Sequence, residues 1–98
     1  MAEAQTIEIK LFATLRLRLG VASIGISTRE AITVRQMIAM AEQKLGTTFH
    51  HELVEKDGRT LKVGTIILLD GKNVIHLDGL DTVVDTPNVA IFPPAGGG

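Results

Sequence analysis

The sequence predicts an α+β domain in which one main helix packs across one face of a mixed sheet. Three observations support this fold class: an alternating apolar segment near the N-terminus, a segment with helical spacing after it, and a short apolar strand near the C-terminus. The 98 residues suffice for one hydrophobic core. We therefore expect one domain over residues 1–94 and a flexible, glycine-rich tail over residues 95–98.

The composition excludes several classes of function. The net charge is −1, so no basic excess favours nucleic acid or an anionic membrane surface. The chain has no cysteine, which rules out disulfides, thiolate metal sites and cysteine nucleophiles. No apolar run approaches the roughly 20 residues of a membrane span, and the N-terminus lacks the apolar core of a signal peptide. We expect a cytoplasmic protein that binds neither nucleic acid nor membrane.

The first segment predicts a strand, a short connection and a second strand. Residues 6–12, TIEIKLF, alternate between apolar and polar side chains, except that Phe12 shares the parity of the polar positions. Residues 13–20 favour a short helix or a wide turn that ends at Gly20. Residues 21–27 form a second strand, which we expect to pair back on the first.

The main helix is predicted over residues 34–45. Thr33 is a favourable N-cap, and Gln36 three residues later completes a capping box. Gly46 supplies the stop signal. The face turned toward the sheet then carries five apolar side chains at helical spacing: Val34, Met37, Ile38, Ala41 and Leu45.

The second half of the chain predicts two more strands and a short return strand. A polar stretch at 47–62 precedes an apolar strand at 65–70, and an Asp-Gly pair then indicates a hairpin whose second strand is NVIHL, residues 73–77. Residues 80–84 form a helical turn or a tucked loop, and the last strand spans 88–92. This order of elements is that of the β-grasp fold, in which the first and last strands are parallel neighbours at the sheet centre.

The ending IFPPAGGG predicts a stiff base and a thin tip. Pro93 and Pro94 lack the N–H donors of a strand ladder and stiffen the direction in which the chain leaves the sheet. Glycine enters a slot too narrow for any side chain. Residues 95–98 reach about 13 Å when extended, at about 3.3 Å per residue. A protein that captures a C-terminal carboxylate in a narrow channel needs a tail of this shape.

With these features the chain resembles the MoaD/ThiS family of ubiquitin-like sulfur carriers, most of all its MoaD branch, the small subunit of molybdopterin synthase. The matching residues of the ending are Ile91, Phe92, Pro93, Pro94, Gly97 and Gly98. The opening IEIKLFATLR at 7–16 and the LDG…LDT stretch at 69–82 are also similar. The chain departs from the family at 85–88, where many members carry Asp-Gly-Asp, and in the additional Gly96.

The resemblance implies a ubiquitin-like β-grasp fold and a sulfur carrier that is not an enzyme on its own. A ubiquitin-activating-type adenylyltransferase (MoeB-like) would use ATP to adenylate the carboxylate of Gly98, with Gly97 beside it, and a sulfur donor would convert the adenylate to a thiocarboxylate. A MoaE-like large subunit of molybdopterin synthase would receive this sulfur for molybdenum or tungsten cofactor synthesis. The carrier itself would bind no cofactor, and it contains neither a GxxxxGK[ST] nor a GxGxxG motif.

Four residues are expected to serve the partner interface: Phe12, Phe92, Pro93 and Pro94. The two phenylalanines fall on the same outward parity of adjacent strands, which predicts an aromatic patch at the root of the tail. Alternatively, loops of the same domain cover both rings. The prolines are expected to aim the tail more than to supply contact energy.

Several alternatives stay open at the level of sequence. The same tail chemistry also serves thiamin thiazole synthesis and ubiquitin-related modifiers that conjugate to lysine, although the two prolines favour the molybdopterin branch over the thiamin branch. A different class of interpretation is a β-grasp binding module with an inert tail. No metal site is expected, because His50 and His51 are adjacent and point apart, and no cysteine joins them or His76.

Overall fold

In a computed structural model, which describes residues 3–95, the chain forms a five-stranded mixed sheet crossed by one long helix. The strands and α-helices are β1 Gln5–Leu11, α1 Ala13–Leu19, β2 Ser23–Thr28, α2 Val34–Leu45, β3 Ile66–Leu69, β4 Lys72–Asn73 and β5 Asn88–Phe92. Short 3-10 turns occupy His50–Glu52, Val74–His76 and Gly79–Asp81. Among these residues no helix is both long and apolar enough to cross a membrane.

The sheet has the strand order β2-β1-β5-β3-β4. The central pair, β1 and β5, is parallel, and every other pairing is antiparallel. This arrangement confirms the β-grasp fold and places the last strand in the middle of the sheet. The C-terminal segment therefore leaves from a strand that is paired on both sides.

The core lies between the sheet and α2. The alternation predicted for the first strand is confirmed, because Ile7 and Ile9 are fully buried and Leu11 almost so. Ile91 on β5 is also fully buried beside them. The helix contributes Val34, Met37, Ile38 and Ala41, which are buried, whereas the predicted Leu45 is half-buried at the edge of the core.

Local signals set the limits of α2 as predicted. The Thr33 hydroxyl accepts the N–H of Gln36 at 3.2 Å, and the Gln36 side chain accepts the Thr33 N–H at 2.9 Å. Gly46 ends the helix in the left-handed region with φ of 76°. This reciprocal cap satisfies two N–H groups that a helix start otherwise leaves without partners.

Glu42 on α2 fixes the polar segment that follows the helix. Its Oε2 atom accepts the N–H of Phe49 at 2.6 Å and that of His50 at 2.8 Å, and lies 2.8 Å from His50 Nδ1. Burial acts to raise the pKa of Glu42, but the hydrogen bonds from Phe49 and His50 outweigh it and lower that pKa. The segment can therefore place Phe49 and Leu53 in the core, where both are fully buried.

The predicted hairpin after β3 is confirmed, because β4 pairs antiparallel with β3, but the limits predicted for its return strand, residues 73–77, are wrong. Strand β4 spans only Lys72–Asn73, and the chain then coils into the 3-10 turn at Val74–His76. The Asn73 side chain accepts the N–H of Ile75 at 3.1 Å, which starts that turn. The turn also directs Val74 into the core, where it is fully buried.

Candidate functional site

The chain emerges gradually from the core at the end of β5. Ile91 and Pro93 are buried, Phe92 and Pro94 are half-buried, and Ala95 is exposed. Because Pro93 is buried, little of its surface is accessible to a partner, and its part in aiming the tail stays a prediction. The predicted reactive residues, Gly97 and Gly98, lie outside the described residues, so their role and the domain limit at residue 94 remain predictions.

Phe12 and Phe92 stack on each other at the root of this exit. Their ring centroids are 4.3 Å apart, and the ring planes differ by 9°. Phe12 is extended (φ −131°, ψ 162°), and its N–H donates to the Ile91 carbonyl at 3.2 Å, which continues the β1–β5 register by one residue. Both rings are half-buried, so loops do not cover them completely. The structure therefore brings together the two aromatic residues that the sequence predicted to be neighbours.

The stacked pair belongs to a larger apolar area on the face of the sheet opposite α2. Ile66 of β3 is the register partner of Phe92, and Leu68 is the partner of Ala90. Register partners in a sheet present their side chains on the same face. We call this area the open-face patch and define it as Phe12, Ile66, Leu68, Ala90 and Phe92.

The open face changes in character along the strands. Its apolar residues lie toward the end where the tail leaves, whereas Lys10 pairs with Ala90 farther along and Glu8 pairs with Asn88 at the opposite end. The contribution of β3 could not be predicted, since Ile66 and Leu68 lie in a continuous apolar run whose faces cannot be told apart. Only the β3–β5 register assigns them to the tail side.

The titratable residues are not assembled into a catalytic group in the region the structure describes. Of the histidines, His50 contacts Glu42, and His51 and His76 are exposed. Within residues 3–95 no group of three or more His, Asp or Glu residues is placed to hold a metal ion. Hydrogen bonds from the Thr60 hydroxyl and from the N–H groups of Arg59 and Thr60 lower the pKa of Asp57 to about 2, in an exposed turn.

The chain and its fold have clear counterparts among known proteins. The family model described as "ThiS family" matches residues 9–98. Small archaeal modifier protein 3 of Haloferax volcanii is 33% identical over 93 residues, covering 94% of this chain and 98% of the relative. The solution structure of the Haloferax volcanii HVO 2177 protein is 32% identical with a TM-score of 0.72, covering 97% of this chain and 88% of its own.

A further match is to one chain of the crystal structure of the Amycolatopsis orientalis BexX/CysO complex. The TM-score is 0.68, and the match covers 94% of this chain and 99% of that one. The identity is 22%, so this likeness concerns the fold. The matched chain was solved in complex with another protein.

Proposed function

Since the chain belongs to the ThiS family of ubiquitin-like sulfur carriers, we propose that it carries sulfur as a thiocarboxylate on the carboxyl group of Gly98. As a carrier it is the substrate of partner enzymes. The observation that best supports this role is the stacked Phe12–Phe92 pair, which marks an apolar surface where the tail leaves the sheet. A partner bound there would receive the tail directly.

The chemistry begins with activation of a poor electrophile. One carboxylate oxygen of Gly98 attacks the α-phosphorus of ATP on a ubiquitin-activating-type adenylyltransferase, and pyrophosphate leaves. A hydrosulfide-level sulfur donor then attacks the carbonyl carbon of the acyl-adenylate. The carbon–sulfur bond forms as the carbon–oxygen bond to AMP breaks, and AMP leaves with the electron pair. Gly97 lets this terminus enter a channel that has no room for a side chain.

Docking would use the open-face patch. Half-buried aromatic and aliphatic side chains that touch each other are the kind of surface that anchors protein interfaces. The pairing of Ile66 with Phe92 extends this surface onto a second strand. The same patch would serve the activating enzyme and the enzyme that receives the sulfur, one after the other, because both must reach the tail.

The recipient we propose is the large subunit of molybdopterin synthase, which this chain would complete as the small subunit. The Phe92-Pro93-Pro94 sequence before the glycines supports this branch over thiamin thiazole synthesis. A second candidate is conjugation to lysine side chains of other proteins. The name of the 33% identical relative, small archaeal modifier protein 3, favours that candidate.

Intact-mass measurement separates these functions. The protein is incubated with ATP, a ubiquitin-activating-type adenylyltransferase and sodium hydrosulfide, and a parallel reaction omits ATP. Replacement of one oxygen by one sulfur, only with ATP, supports the carrier. Attachment of the chain to lysine in a lysate, with loss of water, supports the modifier. An unchanged mass with adenylyltransferases that activate other members of the family would contradict both and leave an inert binding module.

The phenotype of a strain whose protein lacks the last glycine then distinguishes the pathways. A strain in which the last glycine is deleted is expected to lose molybdopterin-dependent enzyme activity and regain it with the intact gene. Thiamin dependence with normal molybdopterin synthesis would assign the sulfur to the thiazole branch instead. Neither phenotype, together with loss of lysine-linked conjugates, would assign the chain to protein modification.

A further inference from the structure

A turn at residues 62–65 lies against the root of the tail, and we propose that Gly64 in this turn is a positioning residue that sets the direction of the tail. This inference rests on the proposed function, because it concerns delivery of the Gly98 carboxylate. It adds a residue that no sequence motif indicates. Gly64 would act through Pro94 and would not touch the reacting atoms.

Gly64 lies beside the tail at Pro94. A β-carbon added at Gly64 would lie 3.5 Å from Pro94 Cα, 3.6 Å from Pro94 Cβ and 4.0 Å from the Ala95 nitrogen, all ordinary contact distances. The residue also has φ of +94°, a region that side chains of L-residues disfavour. The backbone conformation of the turn therefore favours glycine here, and side-chain atoms beyond a β-carbon would have to fit against Pro94.

The turn is itself fixed to the core, so it can serve as a support. Its ends are joined by the Thr65 N–H, which donates to the Lys62 carbonyl at 3.0 Å. The Leu53 carbonyl accepts both the Lys62 N–H at 2.8 Å and the buried Thr65 hydroxyl at 3.2 Å. Because Leu53 is fully buried, these bonds hold the turn in place from below.

Packing has to set the direction in which the chain leaves β5, because the two prolines cannot donate backbone hydrogen bonds. Neither Pro93 nor Pro94 has an N–H to donate to a neighbouring strand. The last pair of the β3–β5 ladder is Ile66 with Phe92, and the chain beyond it runs past the turn. Pro93 is buried, and the half-buried Pro94 lies beside Gly64.

A small change of exit angle is amplified at the end of the tail. Four residues reach about 13 Å when extended, so a rotation of about 15° at Pro94 moves the terminal carboxylate by about 3 Å. A misplacement of about 1 Å at a reacting group costs up to about 100-fold in rate. A partner that binds the open-face patch fixes the position of the domain. Bringing a misdirected tail into the partner's channel then costs free energy. Disturbing Gly64 should therefore lower kcat more than it raises KM.

The test compares Gly64→Val with Gly71→Val. Gly71 has a similar φ of +86°, but a β-carbon there meets nothing within 4 Å, and it follows β3 at the end of the sheet away from the tail. The two variants should lose similar stability from backbone strain. Both are assayed below their melting temperatures, for ATP–pyrophosphate exchange with the activating enzyme and for the ¹H–¹⁵N resonance of Ala95.

We expect Gly64→Val to shift the Ala95 resonance and to lower kcat about tenfold, with KM for the carrier within about twofold. Gly71→Val should leave all three at the wild-type values. In a Pro94→Ala background the effect of Gly64→Val on kcat should fall below about twofold, because the residue through which it acts has been altered. If Gly64→Val does not fold, Gly64→Asn replaces it with Gly71→Asn as its control, since asparagine tolerates positive φ better than valine and its side chain still extends beyond a β-carbon that lies 3.5 Å from Pro94 Cα.

Equal resonance shifts and equal kcat in the Gly64 and Gly71 variants would overturn the proposal. So would a loss of activity that follows the folded fraction, or a full effect of Gly64→Val in the Pro94→Ala background. The resonance of Ala95 does not depend on sulfur transfer. If the wild type shows no exchange, the proposed function has failed, and the Ala95 shift alone decides whether Gly64 directs the tail.

Discussion

The two faces of the sheet carry neighbouring isoleucines that differ in what covers them. Ile66 and Ile67 are neighbours on β3, yet Ile67 is fully buried on the core face and Ile66 is 39% exposed on the open face. Burial in the core explains Ile67 through the stability of the fold. Ile66 gains little in the isolated domain, and its position beside Phe92 suggests that a partner covers it. Under the proposed function we therefore expect one face to serve folding and the other to serve association.

The largest expected effect on stability distinguishes the two faces at Ile67 and Ile66. Ile67→Ala should lower the free energy of unfolding by about 2–5 kcal/mol, because it opens a cavity in the core. Ile66→Ala should cost less than about 1 kcal/mol, because its side chain already contacts solvent. Urea denaturation measures both. Ile66→Ala should instead weaken binding to the activating enzyme, and equal losses of stability would refute the division between the faces.

Substitution of Glu42 on α2 should have the next largest effect on the free energy of unfolding. Glu42→Gln keeps an oxygen acceptor for Phe49 but loses the charge, so we expect a loss of about 1–2 kcal/mol at neutral pH. The folded pKa of Glu42 is lowered, so its contribution is full above the ordinary glutamate pKa of about 4.3 and is lost as the pH falls through the folded value. The stability difference between wild type and variant should therefore shrink at acid pH. A difference that is constant with pH would contradict this role.

A smaller effect on stability tests whether Phe12 and Phe92 interact on the open face. A double-mutant cycle with Phe12→Ala and Phe92→Ala should give a coupling of about 0.5–1.5 kcal/mol in the free energy of unfolding, as stacked rings do. Additive losses would show that the rings do not interact in solution. In that case the patch would lack its aromatic centre.

The smallest change in stability is expected beyond both faces, in the tail. Gly97→Val should alter the free energy of unfolding by less than about 0.5 kcal/mol, because chain termini contribute little to a core. It should nevertheless slow activation strongly, because the side chain cannot enter a narrow channel. A large drop in melting temperature would show that the tail packs on the domain.

Elements with local signals could be predicted from sequence with their limits. The capping box at Thr33 and the stop at Gly46 define α2, and the prolines define the end of β5 at Phe92. The return strand is shorter than predicted because the Asn73 side chain accepts the N–H of Ile75, a local hydrogen bond that the segment NVIHL does not reveal. Local hydrogen bonding here outweighed strand propensity.

The site was predicted only in part, and the missing part is made of contacts distant in sequence. Parity placed Phe12 beside Phe92, since both strands and their direction could be predicted. The sequence does not indicate the β3–β5 register that places Ile66 in the open-face patch. It also does not indicate the approach of Gly64 to Pro94. Both depend on how separate segments meet in space.

The reactive group is tested most directly by adding one alanine after Gly98. The domain is unaltered, so the melting temperature should equal that of the wild type, and binding through the open-face patch should persist. ATP–pyrophosphate exchange and sulfur-for-oxygen replacement should both be lost, because the carboxylate no longer lies at the reactive position. Exchange by the extended protein at the wild-type rate would contradict the assignment of the Gly98 carboxylate as the sulfur-carrying group.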